Sequence, residues 1–304
     1  MAKSLITIVG PTAIGKTAMS IEVAKHFSCE ILSCDSRQFF KEMRIGTAVP
    51  SEAELQSVTH HFIHNKSIFD AYTVGDFEKE AIATLDELLR KSDVAVMTGG
   101  SGLYVDAVLN GFDDFPEIDP EIRNALATKY NELGMAFLQE QLLALDPDYF
   151  LTVDKGNPQR MMRALEVCIG TGTPYSHFLR RKSTQRTFNK ILIGLDADRE
   201  VIYDRINRRV DIMMQQGLLA EAERLYPQRN LNALQTVGYR ELFDFFEGKT
   251  ELDFAVSEIK KNTRRFAKRQ LTWFRRSADT KWFDYNTDPA EIIAYIEGQL
   301  TLHI

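Results

Sequence analysis

The chain has 304 residues, 44% hydrophobic and 26% charged, and a net charge of −6. That length can bury a large core and suggests about two domains, and the composition is that of a globular protein. No apolar run approaches the roughly 20 residues that span a bilayer, and Cys29, Cys34 and Cys168, with no CxxC spacing, argue against a disulfide framework or a zinc site and fit reduced thiols in a cytosol.

Leu5 to Val9 (LITIV) is an apolar, β-branched run suited to a buried parallel strand. A core strand so near the N-terminus predicts that there is no signal peptide. Next comes Gly10-Pro11-Thr12-Ala13-Ile14-Gly15-Lys16-Thr17, and then apolar residues at helical spacing from Ala18 to Phe27. Strand, glycine-rich loop and helix together are the context of a phosphate-binding loop. Gly10 and Gly15 let several amide N–H groups converge on one anion, and the helix dipole points its positive end at the same place. Lys16 adds a charge, and the Thr17 hydroxyl can ligate magnesium. The loop predicts a di- or triphosphate ligand without saying what is done to it.

Glu30 to Cys34 reads as a second strand and runs into Asp35-Ser36-Arg37-Gln38. Ligands of open parallel sheets lie beyond the carboxyl ends of the strands, which places Asp35 near the phosphate site. Three roles remain open for it: magnesium ligand, general base or helix N-cap. The helix Val74–Lys91 carries Phe77, Ala81, Leu85, Leu88 and Leu89 on one stripe. Val94 to Met97 is a third strand, ending in Thr98-Gly99-Gly100-Ser101-Gly102. An NTPase with this loop would usually end that strand in a magnesium-holding acid, so the second glycine loop counts against ordinary ATP hydrolysis. Close approach of a ligand and a merely tight turn both suit these glycines.

From Pro116 to about Phe188 only helical periodicity appears, with a helix start at Pro120 and Glu121. The expectation is a catalytic core of residues 1–115 and 189–304, interrupted by a helical insertion at 116–188. Within the insertion, Arg160 and Arg163 share a helix face, for which a solvated charged surface is the ordinary reading. Further strands are expected at Ile191–Leu195 and Lys281–Tyr285, and helices at Arg199–Arg209, Leu218–Leu225, Tyr239–Glu247 and Ala255–Arg276. Arg205 and Arg209, one turn apart, can reach one oxyanion or can pair with Asp204 and Asp211. Between Lys260 and Arg276 eight basic residues occur with no acid, interleaved with Phe266, Trp273 and Phe274, which are expected in the core. Arg180, Arg181, Lys182, Arg186 and Lys190 form a second basic cluster. Such segregation predicts a basic face on an acidic body, suited to phosphate backbones. The whole predicts an α/β fold of the P-loop NTPase type, a parallel sheet with helices on both faces and an inserted helical domain.

Taken together, the segments resemble the tRNA dimethylallyltransferases, or tRNA isopentenyltransferases. The likeness runs in order through GPTAIGKT at Gly10, DSRQFF at Asp35, MRIGTAVP at Met43, GGSGLY at Gly99, QRMMRALE at Gln159 and GTP at Gly172. It continues through DREVIYDRINRRV at Asp198, GLLAE at Gly217, QTVGYRE at Gln235 and TRRFAKRQLTWFR at Thr263, covering nearly the whole chain.

The resemblance implies transfer of a dimethylallyl group from dimethylallyl diphosphate to the exocyclic amine of the adenosine 3′-adjacent to the anticodon. Gly10 to Thr17 would hold the diphosphate, Thr17 would hold Mg2+, and Asp35 would be the general base. Lys16, with Arg205 or Arg209, would neutralise the leaving group. Asp35, Ser36, Arg37 and Gln38, with Gln159, Arg160, Met161, Met162 and Arg163, would hold the tRNA, and Ser101 and Arg123 match further RNA-contact positions. The insertion would clasp the anticodon stem-loop. A cytoplasmic monomer with no membrane partner is expected. Three positions depart from the family pattern: Ser101 for threonine, Phe40 for tyrosine and His64 for aspartate. His60 and His61 are read as structural. The same features also fit, less fully, a nucleotide kinase, a prenyltransferase of free adenine nucleotides and an RNA-binding module with a degenerate loop.

Overall fold

In the computed structural model, which describes residues 3–113, 115–179 and 184–302, the chain divides into two units, Met1–Asn110 with Arg186–Ile304, and Gly111–Gln185. Of the second basic cluster, Arg180, Arg181 and Lys182 lie outside the described residues.

The larger unit begins with β1 (Ser4–Val9), α1 (Lys16–His26), β2 (Ile31–Ser33), α2 (Glu52–Ser57), β3 (His60–His61), α3 (Val74–Lys91), β4 (Val94–Gly99) and α4 (Gly102–Asn110). Helix α3 has both halves of a capping box: Thr73 accepts from the Asp76 amide, and Asp76 accepts from the Thr73 amide. The short elements α2 and β3 were not expected from the sequence. β3 has only two half-buried histidines, and so lacks the apolar run that marks a strand.

The smaller unit holds α5 (Pro120–Leu145), α6 (Pro147–Thr152) and α7 (Pro158–Thr171). α5 starts where Pro120 and Glu121 predicted, with Asp119 accepting from the Glu121 amide, and breaks at Gly134, whose φ of 73° only glycine adopts readily. α7 runs from an Asn157 cap with Pro158 at its first position to a left-handed Gly172. Leu126, Leu138, Leu142, Met161, Met162 and Leu165 form this unit's core.

The chain then returns to the larger unit with β5 (Asn189–Asp196), α8 (Arg199–Gln215), α9 (Leu218–Leu225), α10 (Tyr239–Phe246), α11 (Leu252–Phe274), β6 (Lys281–Asp284) and α12 (Pro289–Thr301). The sheet order is β3-β2-β4-β1-β5-β6, and every pairing is parallel. Ile6 and Ile8 of β1 pack on one face with Ile202 and Ile206 of α8 and Ile292 and Ile296 of α12. Leu5 and Val9 pack on the other with Phe77, Ala81 and Leu85 of α3 and Val105 of α4. A strand covered on both faces must be apolar at consecutive positions, which is why β1 lacks alternation. Each such side chain contributes about 1.5–3 kcal/mol by leaving water. A third cluster joins Phe40 and Met43 to Leu218, Leu234, Tyr239 and Ile259. Phe40 thus sits in apolar surroundings where its ring needs no hydroxyl. Of the aromatics expected in the core, Phe274 is buried and Trp273, partly buried, packs against the cluster that contains Phe274, whereas Phe266 lies on the exposed side of α11.

Candidate functional site

β1, β2 and β4 end on the same side of the sheet, with Val9 in register with Gly99 and Ser33 with Thr98. Three loops therefore meet: Gly10–Gly15 after β1, Asp35–Gln38 after β2 and Gly100–Ser101 after β4. They open into a cavity of about 700 Å³ lined by Thr12–Thr17, Asp35, Gln38, Thr98, Arg205 and Arg209, among others.

The first loop is shaped by its backbone. Gly10 has a φ of 151°, and a Cβ there would lie 2.5 Å from the Leu195 carbonyl oxygen. Gly15, left-handed at 114°, precedes α1 and gives that helix no side-chain cap. The first amides of α1 thus face the cavity end without a carboxylate or hydroxyl upon them, the arrangement that favours an anion. Ala13 is left-handed at a φ of 66°, a strained conformation for a residue with a Cβ. Arg205 Nε donates to its carbonyl at 2.7 Å and holds it there. Lys16 Nζ donates to the carbonyls of Gly10 at 3.0 Å and Pro11 at 2.9 Å. Burial pushes the Lys16 ammonium down to about 8 against the pull of the Asp35 carboxylate, with Arg209 lowering it further.

No helix follows Asp35, so it is not a helix cap; its Oδ1 accepts from the Arg37 amide at 3.1 Å within a turn. Burial raises its carboxyl above the ordinary carboxylate value, although the Arg37 amide, Lys16, Arg37 and Arg209 all pull the other way. A carboxyl held in that balance is suited to proton transfer. Burial and neighbouring Arg205 lower the Arg209 guanidinium, and Asp35 opposes them. The acids that could have occupied these arginines bind elsewhere: Asp204 pairs with Arg208 and Asp211 with Lys260.

The remaining loop residues hold one another. Ser101 Oγ accepts from the Ser36 amide at 2.9 Å and donates to Ser36 Oγ at 3.0 Å, a role that serine fills as threonine could. Gln38 accepts from Ser33 Oγ and donates to the carbonyls of Thr47 and Ala48. Arg37 donates to the carbonyls of Asn232 and Ala233, so its guanidinium ties this loop to the chain between α9 and α10. His60 Nδ1 donates to the Val58 carbonyl, and His61 meets Glu30 at 2.6 Å. Among the described residues no group of three or more His, Cys, Asp or Glu side chains could hold a metal ion.

In the smaller unit Gln159 and Arg160 are exposed, whereas Met161 and Met162 lie in its core, 0% and 8% exposed. The two methionines were expected at an RNA surface; facing inward as the apolar stripe of α7, they have almost no surface to offer. Arg123 and Arg163 converge on the buried Glu166, at 3.2 and 3.3 Å.

Two residues that hold the site were missed in the sequence. Glu221 of α9 accepts from the backbone amides of Arg44, Ile45 and Gly46 and from the Tyr239 hydroxyl. Gln270 of α11 bonds both glycine loops. The signal for Gln270 was a polar residue on the apolar stripe of α11; Glu221 had none, because its partners are backbone amides far away in sequence.

A family model described as IPP transferase matches residues 38–277. A tRNA dimethylallyltransferase of Flavobacterium johnsoniae is 66% identical over 304 residues, covering 98% of each chain. One of Christiangramia forsetii is 60% identical over 300 residues, covering 99% of each. The solved structure of a full-length tRNA isopentenylpyrophosphate transferase from Bacillus halodurans superposes with a TM-score of 0.74 at 37% identity, covering 98% of this chain and 97% of that one. The chain belongs to the IPP transferase family.

Proposed function

We propose that this member of the IPP transferase family transfers the dimethylallyl group of dimethylallyl diphosphate to the exocyclic amine of the adenosine 3′-adjacent to the anticodon, releasing diphosphate. The observation that carries the reading is the shared cavity: a phosphate loop, two arginines without acidic partners in their own helix turn, and a half-buried carboxylate open into one space. The names of its relatives support the same reading.

The loop Gly10–Thr17, through its backbone amides other than that of Thr12, which Gln270 occupies, and the uncapped start of α1 bind the diphosphate. As the carbon–oxygen bond breaks, negative charge gathers on the leaving group, and Lys16 and Arg209 stabilise it where it forms. Lys16 leaves the Gly10 and Pro11 carbonyls to do so. Asp35 takes the proton from the attacking amine. The cavity walls keep water from the reactive allylic carbon. Mg2+ prefers oxygen donors and retains several waters, so the Thr17 hydroxyl and the diphosphate oxygens suit it without a dedicated cage; bound there, it would supply further charge neutralisation. Ser36, Gln38 and Ser101 set the loop that receives the base, and Arg160, with Arg123 and Arg163, offers the smaller unit's cationic surface to the anticodon stem-loop. The target base leaves the loop stack to reach Asp35. The setting is cytoplasmic, and the enzyme acts as a monomer.

Incubation with unmodified tRNA, labelled dimethylallyl diphosphate and Mg2+ tests this. Label should enter the RNA at that adenosine. ATP consumption on a nucleoside substrate with unlabelled RNA would instead favour a kinase, and label on free adenine nucleotides alone would remove the RNA from the reaction.

A further inference from the structure

Gln270 lies on α11, 5% exposed, and its amide faces two loops rather than solvent. Its Oε1 accepts from the Thr12 amide at 2.8 Å, and its Nε2 donates to the Gly100 carbonyl at 2.8 Å. One planar group thus bridges the loop after β1 to the loop after β4. The Thr12 amide is therefore committed to the protein, which sets the loop's apex. On the other side the packing is tight. A Cβ at Gly100 would lie 2.2 Å from Gln270 Nε2 and 4.0 Å from Asp35 Oδ2, and one at Gly99 would lie 2.1 Å from the Cys34 carbonyl oxygen. The second glycine loop therefore rests directly on the residue that precedes Asp35, and Ser101 fastens the residue that follows it.

We propose that Gln270 is a positioning residue: by clamping the two glycine loops together it fixes the spacing between the phosphate cradle and the Asp35 carboxylate. The clamp rests on the reading that the first loop holds a diphosphate. It explains why a polar side chain stands on an otherwise apolar stripe with Ala267 and Phe274, and why the second loop needs glycine at Gly100, where a methyl group would push the amide aside.

Two substitutions approach the contact from opposite sides. Gln270→Met keeps the length and removes both hydrogen bonds. Gly100→Ala keeps the glutamine and displaces only its far end, so it carries the test should Gln270→Met not fold. Each variant is compared with the wild type in calorimetric titration with inorganic diphosphate and Mg2+, in thermal unfolding, and in single-turnover transfer to tRNA with both substrates saturating. The clamp predicts that diphosphate binding weakens about 5-fold and that transfer slows about 10- to 100-fold, the effect of sub-ångström misplacement. Wild-type diphosphate affinity and transfer rate in both variants, even with a lowered melting temperature, would reduce Gln270 to a structural role and overturn the proposal. A wild-type chain that binds diphosphate yet never modifies tRNA would refute the functional reading alone, and the diphosphate titrations of the variants would still decide the clamp.

Discussion

The Tyr239 hydroxyl donates to Glu221 Oε1 at 2.7 Å, and the same carboxylate receives the amides of Arg44, Ile45 and Gly46. A Cβ at Gly46 would lie 2.6 Å from the Tyr239 ring, so the loop and the ring fit only with glycine there. The carboxylate fills an anion-binding concavity of the protein's own backbone and fixes the wall of the cavity around Thr47 and Ala48, which in turn hold the Gln38 amide.

Glu221→Gln should therefore destabilise the protein by about 1–3 kcal/mol, because an amide NH2 would face backbone donors that lose their acceptor. Denaturant unfolding measures this. An unchanged midpoint and slope would mean that the amides find water instead.

Arg205 and Arg209 separate in the same way. Arg209→Met should weaken inorganic diphosphate binding about 10- to 100-fold, the worth of a hydrogen bond to a charged group, while leaving stability nearly unchanged. Arg205→Met should weaken binding and also lower the unfolding midpoint, because its guanidinium holds the strained Ala13 carbonyl. Calorimetry and unfolding on the same preparations distinguish the two.

The Lys16 ammonium, pushed down to about 8, sets a limit on alkaline binding. The charged form holds the anion, so inorganic diphosphate affinity of the free protein should fall as pH rises through about 8. A bound polyanion favours the charged form, so binding near that pH should take up protons. Titrations in buffers of different ionisation enthalpy measure the uptake, and a pH-independent affinity from 7 to 9 (an interval of about two pKa units about the shifted value) would remove Lys16 from the cradle.

In the smaller unit the arginines differ in what they already touch. Arg160 is exposed on α7, so Arg160→Glu should weaken tRNA binding and lower the salt dependence of that binding by about one unit of log–log slope, with diphosphate affinity unchanged. Arg163→Glu would also set a carboxylate against the buried Glu166 and should lower stability as well. Equal effects of Arg160→Glu on both ligands would contradict the assignment.

Much of this arrangement is legible in the residues themselves. Thr73 and Asp76 start α3 and Lys91 ends it, because cap and stripe act over one helical turn. The strand–loop–helix grammar around Gly10 places a phosphate site for the same local reason. What joins the loops is long-range and side-chain to backbone: Glu221 to Ile45, Arg37 to Ala233, Gln270 to Thr12. Such partners leave no periodicity. Helical spacing also hid a reversal in α7, where Met161 and Met162 supply the core between the exposed Arg160 and the partly exposed Arg163, and in α11, where the basic run surrounds a buried glutamine.

In the proposed reaction Asp35 accepts the proton of the attacking amine while the loop holds the leaving group. Its raised carboxyl pKa implies that wild-type transfer falls as acidity protonates Asp35, with a midpoint above the ordinary carboxylate value. The most direct measurement is single-turnover transfer by Asp35→Asn with saturating tRNA and dimethylallyl diphosphate. Transfer should slow about 100- to 10,000-fold, the usual worth of a general base, with both substrates bound as in the wild type and the acidic limb of the pH profile gone. Transfer at the wild-type rate, with that limb intact, would contradict the account.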